Sequence, residues 1–119
     1  MFTIIPIMNN LVPAPIVYPD NVGGFTAIYR DVEVAVELSW NLTDISSGSI
    51  QHYVIDKRVV GDSLWTNVTI EIGLSYDDAN ILSSTNYEYR IAAISDLGVQ
   101  SQLYAIATVS TPESGTQQE

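Results

Sequence analysis

The chain has 119 residues, 46% of them hydrophobic and 15% charged, which is the composition of one folded domain with a single core and not of a disordered segment. Its net charge is −10 with four basic residues, so nucleic-acid phosphates and anionic membrane surfaces repel it. Cysteine is absent, which excludes disulfides, thiol nucleophiles and thiolate metal sites.

Residues 1–24 read as an extended arm. They hold four of the five prolines, at positions 6, 13, 15 and 19, and no charge before Asp20. Proline fixes φ and lacks a donor, so this stretch is extended or irregular and not helical. No segment is long and apolar enough to span a bilayer. The arm differs from a secretory signal: it has no basic start, and Pro6 and Asn9-Asn10 interrupt its apolar run. Residues 1–19 carry eleven large apolar side chains, among them Ile16, Val17 and Tyr18. Burying each is worth about 1.5–3 kcal/mol, so the arm is expected to dock. Residues 15–18 are expected against the chain's own domain. Phe2, Ile4, Ile5, Ile7, Met8 and Leu11 are expected against another protein subunit, or against a second copy.

Residues 25–111 alternate as β-strands do. "FTAIY" (25–29) opens the series. "VEVAVELSW" (32–40) places Val34, Val36, Leu38 and Trp40 on one face and Glu33, Ala35, Glu37 and Ser39 on the other. "IQHYVIDKRVV" (50–60) follows a Ser-Ser-Gly-Ser turn and points Tyr53 and Ile55 inward. "LWTNVTIEI" (64–72), "LSYDDANI" (74–81), "NYEYRIAAIS" (86–95) and "LYAIATVST" (103–111) complete the set. In the sixth segment Tyr87, Tyr89, Ile91 and Ala93 share a face. Seven strands with regular turn signals predict an all-β, seven-stranded antiparallel sandwich of the immunoglobulin-like kind. Residues 112–119, "PESGTQQE", form a polar tail.

Tyr87 opens the sixth strand, where a tyrosine can bury its ring and return its hydroxyl to backbone a few residues upstream. Gly98 permits the turn that follows. The ordered set Tyr76, Asp78, Ile81, Tyr87, Tyr89, Arg90, Ile91, Ala93, Gly98 and Ser101 resembles a fibronectin type III domain, most closely those of bacterial and phage proteins. "VELSW" with Trp40, "HYVIDKR" with Tyr53 and "SLWTNV" with Trp65 fit the same resemblance over residues 25–111. The turn "SSTN" before Tyr87 departs from it by lacking a Pro or Gly. The resemblance implies core roles for Trp40, Tyr53, Tyr76, Ile81, Tyr87, Tyr89 and Ile91 and a structural turn role for Asp78.

Residue types that carry chemistry are sparse. His52 is the single histidine and alternates outward, without partners for a triad or a metal site. Asp77 and Asp78 point to opposite faces and make a poor calcium pair. Lys57, the single lysine, reads as a strand-end residue reaching outward; the competing reading is an internal crosslink to an Asn or Asp. Asn41 and Asn67 match the glycosylation pattern, and with no secretory signal expected they are read as chance matches. Arg90 faces outward, within reach of Trp65. The expectation is therefore a non-enzyme that needs no cofactor or metal and binds no nucleic acid. We expect a structural or accessory subunit of a virion, in a phage capsid-surface, decoration or tail position. The arm would anchor it to other subunits, and the loops at 44–49 and 96–100 would be free for contacts. The alternative is an extracellular binding or spacer module of the sort found beside carbohydrate-active enzymes, with Trp65, Tyr29 and Tyr104 as its exposed aromatics.

Overall fold

A computed structural model describes residues 14–114. The expected partner-binding residues Phe2, Ile4, Ile5, Ile7, Met8 and Leu11 lie outside the described residues. Within them are seven strands: β1 (Thr26–Arg30), β2 (Ala35–Ser39), β3 (Ile50–Val59), β4 (Thr66–Glu71), β5 (Ser75–Asp78), β6 (Asn86–Ser95) and β7 (Ala105–Ser110). They form two sheets, β1-β2-β5 and β4-β3-β6-β7, with every pairing antiparallel. The expected sandwich is the observed one.

Alternation explains which side chains meet between the sheets. Val36 and Leu38 of β2 face Tyr53 and Ile55 of β3 and Tyr87, Tyr89, Ile91 and Ala93 of β6, all buried in one cluster. Trp40 caps one end of it, with its ring 5.5 Å from Tyr53 and 6.3 Å from Phe25. Tyr76 and Ile81 pack against this cluster half-buried. Each large side chain buried here is worth about 1.5–3 kcal/mol.

Two expectations are corrected by the hairpin between β1 and β2. Pairing closes at Arg30↔Ala35, so residues 31–34 form the loop. Val34 is therefore not an inner residue: it is 57% exposed, with φ of 51°. Ala35, expected outward, is buried. The hydrophobic alternation runs on through Val34, but the ladder it would need has already turned.

The lead-in to β1 is also placed differently. Ile16 and Tyr18 are exposed, at 63% and 41%, whereas Pro19 and Val22 are buried. Backbone bonds fix the lead-in. Asp20 N–H donates to the Asp44 carbonyl and Asn41 N–H to the Gly23 carbonyl, both at 2.9 Å, and Leu103 N–H donates to Asn21 Oδ1 at 3.0 Å. Gly24 is required at its position: φ is 65°, and a Cβ there would fall 2.5 Å from Asn41 Nδ2.

The chain thus comes into the sandwich at the Trp40 end, beside the start of β7. It leaves after Ser110 at the opposite end, where Thr111 N–H donates to the Thr85 carbonyl. The ten residues of β6 run the length between, about 30 Å at the usual strand rise.

Candidate functional site

One buried carboxylate gathers a lysine, a tyrosine and a backbone amide between the two sheets. Asp78, at the end of β5, is buried and accepts three hydrogen bonds. Lys57 Nζ and the Tyr89 hydroxyl each donate to Oδ2 at 2.7 Å, and Asn80 N–H donates to Oδ1 at 3.0 Å. Lys57, on the Tyr53 face of β3, therefore reaches inward and does not snorkel outward as expected. Its side chain is 15% exposed, and its ammonium lies 4.9 Å from the Tyr87 ring centroid and also donates to the Asn80 carbonyl. A buried carboxylate attracts it more strongly than the snorkelling path to solvent does. Desolvation first, and then the hydrogen bond to Asp78, push the Tyr89 hydroxyl above the ordinary tyrosine range. This network closes the sandwich between β3, β5 and β6 and leaves no reactive group facing solvent within it.

Two further contacts answer the tyrosine and Gly-x-x-Ser spacing. Leu82 N–H donates to Tyr87 Oη at 2.8 Å, which ties the crossover from β5 to β6 to the start of β6. After Gly98, at φ 81°, Ser101 exchanges bonds with Ala93: its N–H donates to the Ala93 carbonyl, and Ala93 N–H donates to Ser101 Oγ.

The outer face of the four-stranded sheet carries Trp65, half-buried, and Tyr104, exposed. The Arg58 and Arg90 guanidinium carbons lie 4.3 and 4.6 Å from the Trp65 ring centroid, and Arg90 lies 4.0 Å from that of Tyr104. Arg58 pairs with Glu88 at 2.8 Å and Arg90 with Asp56 at 2.9 Å. Alternation faced Arg90 outward and the family resemblance set it near Trp65; Arg58 and Tyr104 join them because β3 and β7 flank β6, which only the sheet order decides. The guanidinium groups lie against the rings that a sugar would stack on. Tyr29, the third aromatic proposed for such a surface, is half-buried on β1 and packs against the core.

The remaining candidates are dispersed. His52 sits opposite Ile94 on the outer face, and Asp77 is exposed while Asp78 is buried. The Asn67 carboxamide donates to the Ile55 carbonyl and to Asp56 Oδ1. Among the described residues no group of three or more His, Asp or Glu is placed to hold a metal ion. Among the described residues no helix is long and apolar enough to cross a membrane.

One feature escaped the sequence reading. At the end where the chain leaves β7, Tyr29, Val34, Ile81, Leu82 and Pro112 line a cleft of about 700 Å³. No signal in the sequence marks it, because its lining comes from three separate segments of the chain.

No protein-family model matches the chain. It is 31% identical over 78 residues to an amylopullulanase of Thermoanaerobacterium saccharolyticum, a match that takes in 65% of this chain and 6% of that enzyme's length. Solved structures align over most of it. The sixth fibronectin type III domain of human fibronectin type III domain containing protein 3 superposes with a TM-score of 0.69 at 19% identity, over 85% of this chain and 92% of that one. A structure of an FN3tt mutant gives 0.65 at 25% identity, over 82% and 100%. An Fn3-like protein from Clostridium thermocellum gives 0.61 at 22%, over 84% and 96%. With its two antiparallel sheets, its Tyr87 tie and these neighbours, the chain has the fibronectin type III fold.

Proposed function

We propose that this chain is a non-catalytic interaction or spacer module. The observation that carries the reading is its through-going path: the chain comes in at the Trp40 end and leaves at the other, so the sandwich holds what flanks it a fixed distance apart. Its interior polar groups serve cohesion, and its outer arginines are braced on Trp65 and Tyr104. In the finer form of this proposal the module is an accessory subunit of a large assembly such as a phage particle. It attaches to other protein subunits through the apolar residues Phe2, Ile4, Ile5, Ile7, Met8 and Leu11, whose uncharged run supports docking. The test is capture of partner proteins by the immobilised full chain and by an Ile4→Asp/Ile5→Asp/Ile7→Asp variant. Capture lost with an unchanged melting temperature is the expected result. Equal capture by both, or a variant that melts far lower, overturns it, the latter because the arm would then belong to the chain's own core.

The likeness to an amylopullulanase favours a second reading, an extracellular module beside a carbohydrate-active enzyme. Binding to an α-glucan that is lost on Trp65→Ala would decide for it. The arginines stacked on Trp65 and Tyr104 weigh against sugar stacking and favour the spacer form.

A further inference from the structure

The cleft beside the chain's exit is a braced structure. Its two walls are the β1–β2 loop and the crossover from β5 to β6. Thr111 Oγ1 donates to the Leu82 carbonyl at 2.6 Å, Thr85 N–H donates to Thr111 Oγ1 at 2.9 Å, and Ser84 N–H donates to the Pro112 carbonyl at 2.8 Å. Among the described residues two non-glycines have positive φ, Val34 at 51° and Ser84 at 49°, one in each wall. A β-branched residue is strained there, and such strain gathers at binding sites. Here it holds an apolar rim open to solvent: Val34 is 57% exposed, Val32 91% and Leu82 70%. The cleft floor is mixed, with Asp31, Ser83, Thr111 and Glu113 beside the apolar side chains, and an exposed apolar rim around it is a docking surface.

We propose that this cleft receives the arm, residues 1–13, of a second copy of the chain and so links copies head to tail. The inference rests on reading the arm as a docking element and adds the identity of its partner. Three observations select this occupant. Residues 1–13 are mostly apolar and carry no charged side chain, so in a chain of net charge −10 they are the part a second copy repels least. Pro6 removes a donor, which suits a segment that fills a groove more than one that adds a strand. The residues leading to the arm stand at the end opposite the cleft, with Ile16 and Tyr18 exposed, which suits a neighbour's cleft better than the chain's own. The chain's own tail, residues 115–119, reads Gly-Thr-Gln-Gln-Glu and offers no apolar side chain to the cleft. A contact between unlike surfaces does not close on itself, so it builds linear arrays.

The test uses light scattering and sedimentation on three full-length proteins: the native chain, an arm variant Ile4→Asp/Ile5→Asp, and a cleft variant Leu82→Asp. Leu82 is largely exposed, and circular dichroism with melting checks that both variants keep the fold. The native chain is expected to rise above its monomer mass of 13.0 kDa with concentration, while each variant alone stays there. An equimolar mixture of the two variants is expected to reach twice that mass and stop, because one has an intact cleft and the other an intact arm. A native chain still monomeric at millimolar concentration overturns the inference, as does self-association that survives Leu82→Asp. If the native chain stays monomeric yet captures a different protein through residues 1–13, the copy-to-copy link is overturned while the arm keeps its docking role.

Discussion

Replacing Asp78 with alanine tests whether the inward lysine and the buried tyrosine depend on one carboxylate. The substitution removes the acceptor of Lys57 Nζ and of the Tyr89 hydroxyl, both at 2.7 Å, and of Asn80 N–H at 3.0 Å. Lys57, with 15% of its side chain exposed, is left charged without a counter-ion, and the fully buried Tyr89 is left with an unpaired hydroxyl. Breaking one side of a buried pair costs about 3–5 kcal/mol, and an unsatisfied buried hydroxyl about 1–3 kcal/mol; the two overlap, so we expect a loss of about 4 kcal/mol. Domains of this size are stable by about 5–15 kcal/mol, so the variant remains folded but only marginally. In urea its midpoint should fall by roughly 1.3–4 M at the slopes of about 1–3 kcal/mol/M usual for small domains. Adding Lys57→Met removes the orphaned ammonium and should restore about 2 kcal/mol, because the apolar stem suits the faces of Tyr87 and Tyr89. Equilibrium urea unfolding of the native chain, both single variants and the double variant gives the full cycle. An Asp78→Ala cost below about 1 kcal/mol, or no recovery on adding Lys57→Met, would refute the reasoning.

Three further outcomes follow from the same structure. Tyr87→Phe keeps the ring but leaves Leu82 N–H without its 2.8 Å acceptor, and should cost about 1–2 kcal/mol in urea unfolding. Val34→Gly relieves a strained β-branched residue at φ 51° in an exposed loop. The relief, about 1–3 kcal/mol, exceeds the glycine entropy cost of about 0.5–1 kcal/mol, so the melting temperature should rise; a fall would show that Val34 is not strained. The Tyr89 hydroxyl is held protonated by burial and by Asp78, so its folded pKa lies above its unfolded value of about 10. Its contribution is then complete below about pH 10 and lost as pH rises beyond it, at up to about 1.4 kcal/mol per pH unit. Tyr89→Phe should lose stability less steeply between about pH 9 and 11, measured by unfolding at each pH.

The class of fold was legible in the chain alone, because alternation with period two is a property of each strand. Val36, Leu38, Tyr53, Ile55, Tyr87, Tyr89 and Ile91 could be assigned inward without knowing any neighbour, and they are the residues that fill the core. The Tyr87 bond to Leu82 was legible for the same reason, since its partner lies five residues away. What tertiary structure alone decided depends on groups distant in sequence. Lys57 turned inward because Asp78, 21 residues away, lies within reach of its ammonium across the sandwich. Arg58 and Tyr104 joined Trp65 and Arg90 because β3 and β7 both border β6. Val34 left the core because the β1–β2 ladder closes at Ala35, a register that hydrophobic pattern does not specify. The cleft it helps to line draws on three segments, Tyr29 to Val34, Ile81 to Ser83 and Thr111 to Ser114, none of which carries a signal until packing brings them together.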